Sequence, residues 1–355
     1  MTWVNAMCCH SLPARSQGLD PRQTNAFGIR FWAAGFGLLL SAMASAREVP
    51  EKGPEDVFLG RSHFVTSDGA TLPIRSWFPQ TRPPRALVIG VHGFNDYGRA
   101  FESTGHYFVS QGLGLIAYDQ RGFGMAPEMG LWAGQLQYGR DLTALVRAVR
   151  RGYPGIPLYL LGQSMGGAVA ISAFTLNTPP NVAGVILVAP AVWSRETMPW
   201  YQVALLAMTS SLLPDVRVTG GGLKIQASDN LEMLRALGRD PWVIKATRFD
   251  TIEGLVGLMD LAQRRVGAID VRQLILYGEK DQVIPRKPIE EMAFKLKDRS
   301  NIRMALYPNG YHMLIRDLRG DIPLDDIISW IDRPDQPLPS GFERPLDAVA
   351  DHRPP

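Results

Sequence analysis

The chain has 355 residues and a formal net charge of +3, with 46% hydrophobic and 20% charged residues. This composition is that of an ordinary globular protein. A charge this small, without a long run of Lys or Arg, excludes nucleic acid as the main partner.

An apolar segment at residues 31–46 follows Arg30 and ends in Ala-Ser-Ala. A basic flank, a short apolar core and an Ala-x-Ala end are typical of a secretory signal with cleavage after Ala46. A transmembrane helix needs about 20 apolar residues, more than this segment offers. We therefore predict that residues 1–46 are a signal peptide or a membrane anchor, and that the protein is exported (periplasmic or secreted) or membrane-anchored. Cleavage of the leader and a start downstream of Met1 stay open.

Strand and helix patterns alternate over most of the remaining chain. Two antiparallel edge strands come first, at 58–67 and 72–78, joined by a Ser-Asp-Gly turn. The later predicted strands are 86–91, 113–118, 157–161, 182–188, 273–277 and 303–307, and the predicted helices are 99–111, 135–151, 167–174, 288–297 and 324–331. This alternation predicts right-handed crossovers between parallel strands. The fold class is therefore α/β, with a mostly parallel eight-stranded sheet flanked by helices.

The alternation is interrupted after residue 190 and ends near residue 333. We predict an inserted helical cap in the interruption. The tail after residue 333 is rich in proline and lacks apolar periodicity, which predicts disorder. The predicted domains are core residues 47–190, the cap 191–268, core residues 269–333 and a disordered tail 334–355.

A serine stands between two glycines at residues 162–166, Gly-Gln-Ser-Met-Gly, after a buried strand and before a helix. So short a connection forces Ser164 into a strained backbone, with its hydroxyl above the sheet and a helix N-terminus beneath it. This pattern predicts the nucleophile elbow of a serine hydrolase. The pentapeptide alone also fits a Gly/Ser turn without chemistry, so the prediction depends on partners for the serine.

A serine hydroxyl needs a base to accept its proton and a carboxylate to orient that base. Of the six histidines, His312 lies in a loop directly after a late strand, and Asp281 follows the strand before it through Gly-Glu-Lys. Each residue stands beyond the carboxyl end of a separate strand, in the order Ser164, Asp281, His312. We predict that these three form a catalytic triad.

A second strand end predicts an oxyanion hole. An unbroken apolar strand ends in His-Gly-Phe at residues 92–94. Acyl transfer needs two backbone N–H groups directed at the oxygen that becomes negative, and we predict that Phe94 and Met165 provide them. For His92 we predict a hydrogen bond that anchors the loop. The Asp and Arg of residues 119–124 are likewise predicted to lock a loop through charge-assisted hydrogen bonds.

These segments resemble the α/β-hydrolase superfamily, and within it the monoglyceride lipase and lysophospholipase-like branch of serine aminopeptidase-like hydrolases. The matching segments are 92–94, 119–124, 162–167, 278–281 and 311–312. The resemblance implies an enzyme that cleaves a lipid ester, a monoacylglycerol or a lysophospholipid, through an acyl-enzyme. No metal or organic cofactor is expected. A proline-directed aminopeptidase, a short-chain esterase and a non-catalytic ligand-binding protein of the same fold stay open.

The predicted cap contains a run at 199–208 that is apolar nearly all round. A helix with one face against the core does not need this. The second face therefore lines an acyl-chain tunnel, touches a lipid surface or is buried between core and cap. We predict Trp200, Leu205 and Met208 as substrate-binding residues, and leave open a membrane-surface contact through the cap or leader. An aminopeptidase would need cap carboxylates, for which the candidates are Asp229, Glu232, Asp250, Glu253 and Asp260.

Overall fold

The computed structural model describes residues 58–60, 62–220 and 225–350, so the predicted leader and residues 351–355 lie outside the described part. In chain order the described strands are β1 (Phe58–Leu59), β2 (His63–Val65), β3 (Thr71–Trp77), β4 (Leu87–Val91), β5 (Gly114–Tyr118), β6 (Leu158–Gln163), β7 (Gly184–Val188), β8 (Arg217–Thr219), β9 (Ala246–Arg248), β10 (Arg272–Gly278) and β11 (Ile302–Tyr307). The described α-helices are α1 (Glu102–Ser110), α2 (Gln135–Gly152), α3 (Met165–Ala173), α4 (Trp200–Leu212), α5 (Leu231–Arg239), α6 (Phe249–Arg265), α7 (Arg286–Leu296), α8 (Asp321–Asp332) and α9 (Leu346–Ala350). None of these helices has both the length and the apolar character to cross a bilayer.

One large sheet has the strand order β1-β2-β3-β5-β4-β6-β7-β10-β11. The strands from β5 to β11 in this order are parallel, and β1, β2 and β3 join them through antiparallel pairs. The predicted α/β class with a mostly parallel sheet is confirmed. The predicted first strand, 58–67, is divided into β1 and β2 because a tight turn interrupts it, in which the Gly60 N–H donates to the His63 carbonyl (2.8 Å).

The central strands are apolar along their whole length because helices cover both faces of the sheet. Every residue of β4, β5 and β7 is buried. The core on one face includes residues of α2, α3, α6 and α7, and the core on the other face includes residues of α1 and α8. The predicted catalytic motifs at the strand ends therefore rest on a three-layer core.

The strand order reverses at β4, since β5 lies on one side of β4 and β6 on the other. In parallel α/β sheets such a reversal opens a crevice at the carboxyl ends of the strands, where ligands bind. Residues 92–94 follow β4, and residue 164 follows β6. The predicted oxyanion loop and the predicted nucleophile therefore lie on the two sides of this crevice.

The segment between β7 and β10 contains α4, β8, α5, β9 and α6. Strands β8 and β9 form an antiparallel pair, so the inserted segment contains a short two-stranded sheet beside its three helices. Helix α6 packs against α3 of the core and against α4. The segment therefore lies over the elbow that α3 begins.

The predicted disordered tail is corrected by the structure for residues 334–350. The Phe342 carbonyl accepts the Leu306 N–H (3.0 Å), and the Arg344 N–H donates to the Met304 carbonyl (2.8 Å). Leu338 is buried, and α9 packs against α7. Proline-rich composition misled the prediction because the few apolar residues here pack on a surface formed by remote parts of the chain.

Candidate active site

Ser164 joins β6 to α3 with φ 54° and ψ −118°, a strained conformation for a residue with a side chain. A Cβ added to Gly166 would overlap the Val91 carbonyl, and one added to Gly162 would lie 2.5 Å from the Gly166 carbonyl oxygen. The two glycines are therefore required by the close approach of strand, turn and helix. This is the elbow geometry that the pentapeptide predicts.

The structure brings Asp281 and His312 together after β10 and β11. His312 Nδ1 lies 2.8 Å from Asp281 Oδ2, and both side chains are almost completely buried. Asp281 Oδ1 accepts the N–H groups of Val283 (2.7 Å) and Ile284 (3.0 Å). The carboxylate is thus fixed by the backbone before it orients the imidazole.

Two buried polar atoms of the site lack a hydrogen-bond partner among the described residues. They are Ser164 Oγ and His312 Nε2. Buried polar groups in folded proteins are nearly always paired, so each exception needs an explanation. A hydroxyl and an imidazole nitrogen held ready for a substrate are one such explanation.

The loop after β4 adjoins the serine. A Cβ added to Gly93 would lie 3.4 Å from Ser164 Cβ. Phe94 is buried beside Gly93, and Met165 is the fully buried first residue of α3. These positions are compatible with the predicted oxyanion donors, and that role stays a prediction.

His92 uses both of its ring nitrogens to hold the loop. Nδ1 lies 2.8 Å from the Gly93 carbonyl, and Nε2 accepts the Gln120 N–H (2.9 Å). Complete burial lowers the pKa of His92, which favours the neutral ring that this pattern requires. His92 is therefore an anchor, because neither nitrogen is available to act on a serine.

The Asp and Arg of residues 119–124 also serve the loops. Asp119 accepts hydrogen bonds from Arg75 (2.5 Å) and from the Gly98 N–H (2.9 Å). Arg121 pairs with the buried Asp141 at 2.7 Å. Both charged groups are paired in these contacts, as expected for residues that hold loops in place.

A pocket lies between the cap and the strand ends. Ser164 and Gln202 are the two polar side chains among its lining residues, which are Phe94, Ser164, Ala191, Trp193, Met198, Gln202, Leu206, Phe249, Ile252, Leu255, Val256, Met259, Val283 and Ile284. The apolar residues of α6 come at spacings of three and four, a pattern that the sequence carries. Such a wall suits an apolar ligand that reaches the serine.

The predicted substrate-binding residues Trp200, Leu205 and Met208 do not line this pocket. Trp200 is 81% exposed and Met208 is 53% exposed. Helix α4 instead turns Gln202 and Leu206, four residues apart, towards the pocket. The prediction failed because an apolar sequence on every side of a helix carries no signal for its rotation.

Strand order, elbow and the carboxylate–imidazole pair together define an α/β-hydrolase. The sequence model of one family of such serine enzymes, Hydrolase_4 (serine aminopeptidase, S33), matches residues 82–319. The chain belongs to this family, and within it the chain is monoglyceride lipase-like.

Similar proteins of several organisms cover most of the chain. The monoacylglycerol lipase of Mycolicibacterium smegmatis is 26% identical over 284 residues, 76% of this chain and 95% of that protein. The human monoglyceride lipase is 25% identical, over 78% of this chain and 89% of that protein. The solved structure of a soluble variant of the Saccharomyces cerevisiae monoglyceride lipase has a TM-score of 0.66 at 20% identity, covering 78% of this chain and 96% of that one.

Proposed function

We propose that this serine hydrolase cleaves lipid-type carboxylic esters, a monoacylglycerol or a lysophospholipid, through an acyl-enzyme. The observations that carry the proposal are the apolar pocket whose wall includes Ser164 and the buried Asp281–His312 pair. The similarity to monoacylglycerol lipases supports the same substrate class.

In the proposed reaction Ser164 Oγ attacks the ester carbonyl while His312 Nε2 accepts its proton. Asp281 holds the ring through Nδ1, so that the proton can return from Nε2 to the leaving alcohol. The N–H groups of Phe94 and Met165 stabilise the oxyanion, and one such donor contributes about 3–4 kcal/mol. Water activated by His312 then releases the fatty acid.

The pocket walls supply the acyl-chain preference. Burial of each methylene contributes about 0.8 kcal/mol, so a longer chain binds more tightly until the pocket is full. The same walls exclude water from the ester until the alcohol has left. Short acyl esters would use only part of this binding energy.

The aminopeptidase alternative needs a carboxylate that can bind a substrate ammonium group. Among the described residues that line the pocket, none is a carboxylate. Of the cap carboxylates, Asp260 and Glu253 pair with Arg195, and Asp250 pairs with Arg248 at 2.6 Å. An uncharged acyl group therefore fits the pocket better than an aminoacyl group.

We also propose that the exposed side of α4 touches the lipid surface that holds the substrate. Trp200, Tyr201, Met208 and Leu212 are each more than half exposed, an unusual concentration for one helix. Binding to phosphatidylcholine vesicles should fall in Trp200→Ser/Leu212→Ser, and should persist in Leu136→Ser, which removes an exposed leucine of α2. Equal binding of all three proteins would exclude this contact.

Export or membrane attachment through residues 1–46 is a further part of the proposal, supported by the basic flank, apolar core and Ala-Ser-Ala end. Fractionation of cells that produce the full chain or a chain starting at residue 47 tests it. Recovery of both proteins in the cytoplasm would contradict it.

The substrate is tested with p-nitrophenyl esters of rising chain length, monoacylglycerols, lysophospholipids and aminoacyl-naphthylamides. We expect turnover of the esters and covalent labelling of Ser164 by a fluorophosphonate. Ser164→Ala should lose both. Preference for the naphthylamides would overturn the lipid assignment, and absence of labelling in the folded protein would favour a non-catalytic binder.

A further inference from the structure

The backbone on both sides of His312 is held by hydrogen bonds. The Tyr311 N–H donates to Asp317 Oδ2 at 2.8 Å, and the Met313 N–H donates to the Ala227 carbonyl at 2.9 Å. These two peptide groups set the direction in which the imidazole leaves the chain. Asp281 then fixes only the rotation of the ring.

Asp317 is also tied to the cap segment. Its second oxygen, Oδ1, accepts the hydroxyl of Ser228 at 2.6 Å. Ser228 is completely buried, and its Oγ accepts the Asn230 N–H at 3.1 Å. The hydroxyl is thus held in one orientation. Residues 227 and 228 therefore contact the loop after β11 (residues 308–317, the histidine loop) at two points, Met313 and Asp317.

We propose that Asp317 is a positioning residue for the base, and that Ser228 couples this position to the cap segment. The proposal rests on the proposed function, since it needs His312 to be the base. Neither Asp317 nor Ser228 is among the residues that line the pocket, so they act only through the loop. A misplacement of about 1 Å at a reacting group can lower a rate about 100-fold.

A matched control exists on α8. Asp326 is completely buried and, like Asp317, accepts one hydroxyl and one N–H: from Tyr307 at 2.6 Å and from Ser340 at 2.9 Å. The Tyr307 carbonyl accepts the Gly310 N–H (3.0 Å) at the start of this loop, but neither partner of Asp326 forms a described hydrogen bond to residues 311–313. Loss of Asp326 therefore reports what a buried structural carboxylate contributes by itself.

The experiment compares kcat and KM of Asp317→Ala, Asp317→Asn, Ser228→Ala and Asp326→Ala, with active sites titrated by fluorophosphonate. We expect kcat of Asp317→Ala to fall about 10- to 100-fold at nearly constant KM. Asp317→Asn should restore most of it, because an amide can accept the Tyr311 N–H and donate to Ser228 Oγ. The kcat of Ser228→Ala should fall about 5-fold, which corresponds to the contribution of one hydrogen bond.

Equal kcat per titrated site in Asp317→Ala and Asp326→Ala, or no rescue by Asp317→Asn, would overturn the positioning role. If Asp317→Ala does not fold, an unchanged kcat in Ser228→Ala overturns the coupling to the cap. His312→Ala distinguishes a failure of the proposed function from a failure of the positioning role. Full activity in that variant would refute the proposed function itself, whereas an inactive His312→Ala with a fully active Asp317→Ala would refute only the positioning.

Discussion

His312 Nδ1 and Asp281 Oδ2 lie 2.8 Å apart, and the other carboxylate oxygen is occupied by two backbone N–H groups. The ring therefore has only Nε2 left for a further partner. The contacts around this pair, the packing of the elbow and the walls of the pocket can each be tested by substitution.

Asp281→Asn should lower kcat about 10⁴-fold, because an amide that donates to Nδ1 favours the wrong tautomer of the imidazole. The variant should fold, since the Asn oxygen can still accept the N–H groups of Val283 and Ile284. The measurement is ester hydrolysis per folded protein, with Asp325→Asn at an exposed position as control. A loss below 10-fold would contradict the role of Asp281.

Gly166→Ala and Gly93→Ala should differ in stability. The new methyl group at 166 overlaps the Val91 carbonyl, which the sheet holds in place, so we expect a loss of about 3 kcal/mol in the free energy of unfolding. At 93 the nearest atom is Ser164 Cβ at 3.4 Å, an ordinary contact, so the protein should remain near wild-type stability. Urea unfolding checks both, and an equal loss in the two variants would argue against the elbow packing.

Leu206→Trp should shorten the acyl chain that the enzyme accepts, since Leu206 lines the pocket. Met208→Trp places the same side chain on the exposed side of α4 and should leave the chain-length profile unchanged. The ester panel measures both profiles. A changed profile in Met208→Trp alone would restore the original prediction for that residue.

The free energy of unfolding should depend on pH through the protonation of Asp317. Burial raises the pKa of Asp317 to about 6, against the hydrogen bonds from Ser228 and Tyr311 that lower it. The folded state then holds a proton that the unfolded state has lost, so this group makes the protein less stable as pH rises from about 4 to about 6.

Asp317→Asn removes this titration. Its free energy of unfolding should equal that of wild type near pH 4 and exceed it by roughly 1–3 kcal/mol above pH 6. Urea unfolding at several pH values measures the difference. A stability difference between wild type and Asp317→Asn that does not change with pH would contradict the raised pKa of Asp317.

The triad candidates could be predicted from sequence because each carries a local signal. Ser164 stands in a glycine-flanked turn, and Asp281 and His312 follow apolar strands directly. All three follow the carboxyl ends of parallel strands, so they lie at the same edge of the sheet. Asp317 could not be found this way, because an aspartate in a loop gives no indication of which distant hydroxyl it will meet.

The predicted substrate-binding residues of the cap were wrong because the sequence of α4 carries no signal for its rotation. Helix α4 has apolar residues on every side, so its sequence does not indicate that Gln202 and Leu206 face inward. Helix α6, with one apolar and one charged face, shows its rotation in the sequence. The packing of Leu338 and α9 likewise depends on a surface formed by remote parts of the chain.

The last described residues give the outer strand of the sheet a neighbour. Residues 342–344 occupy backbone groups of β11 that would otherwise be free to pair with a strand of another molecule. A chain cut before residue 338 would keep every residue of the proposed reaction but expose this edge. We expect this shortened chain to self-associate at high concentration, while each molecule that stays in solution keeps its activity.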